Sequence, residues 1–199
     1  MKITTKGIVF CALFAALTGI GAFIQVPVPG MDYFTLQFFF VLMAGLMLGS
    51  KLGGLSVLVY VLIGLAGVPV FAAGGGITYV VRPSFGYLIG FIAAAFLTGL
   101  VAEKNQARTF VQYLMACMSG FVVCYAIGLV YKYFMLNFYV GEKTAFFMVI
   151  ADCFPLDMPG DIVLCVLASL VAIRLRPVAL SQILINCLYS YVDIISSAK

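Results

Sequence analysis

The residues of this chain best placed to do polar chemistry stand alone inside apolar sequence. Asp161 follows Met158-Pro159-Gly160 and opens an apolar run. An aspartate in that position caps a helix N-terminus, worth about 1 kcal/mol. A carboxylate at the edge of an apolar segment also reads as a ligand acceptor, and the two roles are compatible. Arg82, just before Pro83, is the lone charge of the stretch Gly67–Phe91. Its guanidinium either snorkels toward lipid headgroups or forks the carboxylate of an anionic solute at a cavity mouth. Tyr79 and Tyr87 flank it. They can wall a pocket and use their hydroxyls as polar handles, or belong to an interfacial aromatic belt. Gln37 is an amide in an apolar segment, where a bond to a neighbouring helix is the better reading; Gln25 is similar but nearer a segment end. Asp32, Asp152 and Asp157 read as solvated charges of outer loops.

Between these groups runs the triplet Gly74-Gly75-Gly76. Glycine lets backbone approach another group closely and present its N–H and C=O. At membrane depth, irregular backbone is tolerated where protein buries it or where it lines a cavity. A small solute is therefore expected against Gly74, Gly75 and Gly76. Enzyme chemistry is not expected. The chain has no His, so no Ser/His/Asp set can form. The glycine run lacks the GKT or GKS of a phosphate-binding loop, so any ATP hydrolysis must come from a partner. No CxxC or Cys/His cluster suggests a metal, and no cofactor is indicated. The six cysteines (Cys11, Cys117, Cys124, Cys153, Cys165, Cys187) mostly lie in apolar runs as small hydrophobes, and a disulfide framework is not expected.

The elements that must position these groups are membrane helices. Of 199 residues, 65% are hydrophobic and 9% charged, against about 25% charged in a soluble domain, and the mean hydropathy is +1.21. The length suits one domain. The net charge of +4 is small and spread out, so nothing points to nucleic acid. Apolar runs near spanning length cover Ile8–Val26, Tyr33–Leu48, Leu52–Phe71, Phe85–Val101, Phe110–Leu136 and Asp161–Ile173. The second and sixth are short. Ala145–Phe154 is too short to span and suits an interfacial or re-entrant helix on the outer side. The expected organisation is a transmembrane domain over residues 1–176 and a tail over 177–199, amphipathic and lying on the membrane rather than crossing it. The first segment reads as a mature helix rather than a cleaved signal. With the N-terminus inside, Lys2, Lys6, Lys51, Lys104, Arg108, Arg174 and Arg176 fall on the cytoplasmic side and outnumber Arg82, Lys132 and Lys143 on the outer side. That is a positive-inside bias, and both termini are expected in the cytoplasm. On the first segment, Ala12 and Ala16 are spaced to admit a close helix neighbour; spacing alone slightly favours packing within this bundle.

Taken together, the runs Leu13–Pro29, Phe34–Gln37, Leu42–Gly49, Gly67–Gly76, Pro83–Phe91 and Phe154–Asp161 resemble the BioY family. These are the substrate-binding S components of energy-coupling factor (ECF) transporters for biotin. The resemblance covers the chain to about Pro177 and rests on the order and spacing of these runs. It implies an all-α integral membrane protein with a six-transmembrane-helix bundle, and leaves an extra C-terminal amphipathic helix open. It implies high-affinity capture of biotin from the outer side of the plasma membrane. The partners it implies are the lipid bilayer, a transmembrane T protein and two cytoplasmic ATPases. Ala12 and Ala16 resemble the family's small-residue motif that packs on the T protein. Asp161 matches the family's Pro-Gly-Asp aspartate at the ligand head, Ala73–Gly76 its glycine loop, and Gly86-Tyr87 its Gly-Tyr pair. Some members carry Asn in the glycine loop, Arg after Gly-Tyr and Lys three residues after the aspartate. This chain has Gly74 or Gly75, Leu88 and Leu164 there, and Arg82 is the nearby cation that can replace the basic residues.

Other readings stay open at this point. The same scaffold suits lipoate, which has a sulfur ring and a short acid chain but no ureido donors, and would lean on Arg82 more than on Asp161. A structural membrane protein with no solute, or a free-standing carrier with inverted repeats, would fit the composition alone.

Overall fold

A computed structural model of the chain describes residues 5–26, 34–141, 144–153 and 157–175. Long apolar runs with few charges satisfy their backbone in lipid within the segment itself by forming helices. Those runs give α1 (Thr5–Phe23), α2 (Gln37–Leu65), α3 (Phe85–Lys104), α4 (Phe110–Phe134), a short α5 (Phe146–Cys153) and α6 (Asp157–Leu175). α4 runs on as a wider π turn over Met135–Val140, so five of the helices among the described residues are long and apolar enough to cross a membrane.

α2 is not one rod. Gly49 breaks it with φ 82° and ψ −179°, in the left-handed region that favours glycine. Gln37 Nε2 lies 2.8 Å from Tyr60 Oη although 23 residues separate them. In a straight helix they would stand about 35 Å apart. A methyl on Gly53 would meet Gly45 Cα at 2.8 Å. The run is therefore a hairpin of two arms, 37–48 and 50–65. These arms are the segments expected at Tyr33–Leu48 and Leu52–Phe71. The turn is held by Glu103 at the end of α3, which accepts the Ser50 N–H at 3.0 Å and the Ser50 hydroxyl at 2.8 Å. That carboxylate caps the second arm.

Element ends differ from the sequence expectation where turn chemistry intervenes. α1 stops at Phe23, and Gln25–Val26 pairs antiparallel with Phe34–Thr35; Val26 precedes a proline, which disfavours helix. The second arm stops at Leu65 rather than Phe71, since Gly67 has φ 108° and Val68 precedes Pro69. α6 has begun by Asp157, so Asp161 sits a turn inside the helix rather than at its cap. The tail expected over 177–199 lies outside the described residues.

Helices α2, α3 and α4 pack through small residues that bring backbones close. Methyls on Gly45 and Gly90 would meet the carbonyls of Ala95 at 2.4 Å and Cys124 at 2.8 Å. The core between them includes Phe38, Leu42, Leu46, Ala94, Ala95 and Ala116, all buried. Lys51, Lys104 and Arg108 gather at the Gly49 end of the bundle. The starts of α2, α3 and α6, the far part of α4 and the loop after α2 converge at the other end.

Candidate ligand-binding site

At that convergent end lies a cavity of about 110 Å³. Its polar floor is built from α4 and α6. Tyr125 Oη donates to Asp161 Oδ2 at 2.8 Å. Asp157, one turn earlier on the same face of α6, lines the cavity as well. Gly160 makes room for the Phe34 ring, which a methyl there would meet at 2.4 Å, so the Pro-Gly-Asp run seats a wall residue beside the carboxylate.

The walls are aromatic. Tyr125 packs on Phe121 (centroids 4.5 Å apart) and meets Tyr87 edge-on at 5.7 Å. Phe121 contacts Phe38 at 6.5 Å, and Phe38 contacts Phe91 at 5.8 Å. Tyr87 can lie against α4 because Gly128 leaves the space; a methyl there would fall 2.5 Å from the ring. Tyr87, Phe38, Phe91 and Leu88 all line the cavity.

Gln37 brings an oriented amide to the wall. Its Nε2 donates to Tyr60 Oη, and Tyr60 Oη lies 3.0 Å from the Val70 carbonyl. A carbonyl only accepts, so the single phenol proton goes to Val70. The phenol oxygen must then accept from Gln37, which fixes the NH₂ toward Tyr60 and leaves Oε1 as the acceptor of this lining residue. Tyr60 is 2% exposed, so the relay is shielded from water.

The loop after α2 closes one side. Tyr79 lines the cavity and packs on Phe71 at 4.6 Å, which meets Tyr60 edge-on at 5.5 Å. The glycine triplet holds this loop rather than lining the cavity. Phe71 and Gly74 exchange backbone hydrogen bonds of 2.9 and 3.1 Å, and the Gly76 N–H donates to the Gly64 carbonyl at 2.7 Å. Gly74 and Gly76 have φ of 110° and 104°, and a methyl on Gly75 would meet the Val68 carbonyl at 2.2 Å. The loop contributes Ala72 and Ala73 to the lining instead. Arg82 is exposed and outside the lining. Its Cζ stands 5.3 Å from the centroid of the Tyr79 ring, a cation–π contact.

The structure thus brings Asp161, Tyr87, Tyr79 and Gln37 together and leaves Arg82, Gly74, Gly75 and Gly76 around their edge. It adds Lys132, Tyr125 and Asp157, which the sequence reading did not select. Lys132 carried a usable signal, since an ionisable residue inside an apolar helix is a functional candidate by default. Outside the cavity lining, Ala12 and Ala16 lie on the exposed face of α1, while Cys11, Ala15, Thr18 and Gly19 form its buried face.

Comparison with known proteins adds to this picture. A family model described as the BioY family matches residues 1–181. A protein named as a probable biotin transporter BioY from Lysinibacillus sphaericus is 42% identical over 175 residues, covering 88% of this chain and 89% of that protein. The biotin transporter BioY of Thermotoga maritima is 40% identical over 172 residues, covering 86% and 96%. A solved structure of the S-component for biotin from an ECF-type ABC transporter superposes with a TM-score of 0.75 at 25% identity, covering 86% of this chain and 91% of that one.

Proposed function

The chain belongs to the BioY family, and from that premise we propose that it captures biotin from the outer side of the plasma membrane as the S component of an ECF transporter. It is a multi-pass membrane transporter component and not an enzyme. We place six crossing arms in the bilayer, counting both arms of α2, with the termini in the cytoplasm. The cluster of Lys51, Lys104 and Arg108 at the end away from the cavity supports that orientation by the positive-inside rule. Delivery through a T protein and two cytoplasmic ATPases completes the proposal. Ala12 and Ala16, exposed on α1, are a small-residue face on which such a helical partner can pack closely.

The observation that carries the reading is the aromatic cavity with an acceptor pair, half-buried Asp161 held by Tyr125 and buried Gln37 held by Tyr60. Biotin offers a ureido ring with two N–H donors, an apolar thiolane ring and valeryl chain, and a carboxylate. Acceptors for the N–H groups and aromatic walls for the rings meet those needs. We assign Asp161 and Gln37 to the ureido ring and Tyr79 and Tyr87 to the walls. The loop held by Gly74, Gly75 and Gly76 becomes a fixed cover, and Arg82 an outer cation steadied by Tyr79.

A buried N–H left without its acceptor costs about 1–3 kcal/mol. Asp161→Ala is therefore expected to weaken biotin binding by roughly tenfold or more. Calorimetry of the purified protein in detergent, with biotin and lipoate compared, tests this. Unchanged biotin affinity in Asp161→Ala removes the aspartate from the site. Lipoate binding with biotin ignored keeps the scaffold and changes the ligand.

A further inference from the structure

The geometry points to Lys132 as the residue that receives the ligand's carboxylate, an inference that rests on the ligand being an acid of the biotin kind. Lys132 is the one cation among the described residues that line the cavity. An anionic ligand entering there meets Asp157 and Asp161 in the same lining. Like charges at close range repel, and more so at half-buried sites than in bulk water, so the acid end is best met by a cation and held apart from the two aspartates.

The helical spacing provides that separation. Tyr125, which holds Asp161 at 2.8 Å, and Lys132 are both on α4. They are two turns apart on one face, about 10 Å along the axis. A ligand with its ring at Tyr125 and Asp161 and an acid on a flexible apolar chain spans that kind of distance. The backbone around Lys132 is also fixed. The Tyr131 hydroxyl donates to the Val80 carbonyl, and Gly86 admits Tyr131, whose Cβ a methyl there would meet at 2.3 Å. One turn earlier, Gly128 abuts the Tyr87 ring.

Two plainer roles for Lys132 account for less. A basic residue in a last turn answers the carbonyls of a helix end. Here the backbone continues through Met135–Val140, so those carbonyls are not at an end. A lysine that only snorkels would direct its ammonium to headgroups and would not line a cavity. Arg82, the cation the sequence singles out, is exposed and absent from the lining.

The test compares biotin with its uncharged methyl ester on the full-length protein in detergent, by calorimetry. The wild type is expected to prefer the acid. Lys132→Met is expected to lose on the order of tenfold to a hundredfold in affinity for the acid while binding the ester as the wild type does. Ester binding also reports that the variant is folded. Lys132→Arg keeps the preference for the acid, and serves if Lys132→Met does not fold. The inference is overturned if the wild type binds acid and ester alike, if Lys132→Met retains the preference, or if Arg82→Ala is the variant that abolishes it. A wild type that ignores both ligands overturns the functional reading and this inference with it. A wild type that binds biotin while Lys132→Met changes nothing overturns this inference alone.

Discussion

Tyr60 never touches the cavity, yet the direction of the Gln37 amide depends on it. Its hydroxyl stands between Gln37 Nε2 and the Val70 carbonyl, and removing it strands a donor and an acceptor in a dry place. Tyr60→Phe is expected to lower stability by about 1–3 kcal/mol and to free the amide to turn. Biotin affinity should fall severalfold, with the loss confined to ligands that donate N–H groups. Thermal unfolding and calorimetry with biotin and lipoate check both parts. At this scale, much of the candidate site was legible. Asp161, Gln37, Tyr79 and Tyr87 stand out as polar groups in apolar runs, and the structure brings them to one cavity. Lys132 and Asp157 did not stand out, because counting charges by side of the membrane says nothing about which face of a helix they occupy. The glycines show the reverse. Their spacing marks a backbone that must bend, but only the folded loop shows that Gly74 and Gly76 spend their N–H groups on Phe71 and Gly64.

Among the elements, the hairpin of α2 depends on one residue. Gly49 needs both its positive φ and its missing side chain, since a methyl would lie 2.0 Å from Glu103 Oε1. Gly49→Ala is expected to cost about 1–3 kcal/mol from backbone strain alone, with more from loss of the Ser50 cap. Thermal unfolding in detergent should show a clear drop. Glu103→Gln, which keeps the φ and weakens the cap, should show a smaller one. The helices themselves were legible from apolar length, and their ends were not. The ends are set by local events such as the strand pair Gln25–Val26 with Phe34–Thr35, the Gly67 bend, and the π turn after α4 whose Asn137 side chain bonds Thr144. None of these leaves a periodic trace in the sequence.

At the scale of the whole molecule, the described residues place Lys51, Lys104 and Arg108 at one end of the bundle and the cavity at the other. The proposed orientation puts Lys51 and Arg108 in the cytoplasm and the loop bearing Arg82 outside. Single-cysteine variants at these positions, treated on intact cells with an impermeant maleimide, should react at position 82 and stay silent at 51 and 108. Labelling at 51 and 108 with none at 82 would invert the assignment. The same experiment bears on Gly49 in another way. By length and hydropathy, Gln37–Leu65 passes for a single long crossing, and a chain counted that way crosses an odd number of times. In the proposed six-crossing arrangement the reversal at Gly49 supplies the additional crossing and changes the parity of the described bundle. Under that proposal a single glycine sets the side of the bilayer on which the later described loops emerge, and the labelling pattern at 51, 82 and 108 reads it out.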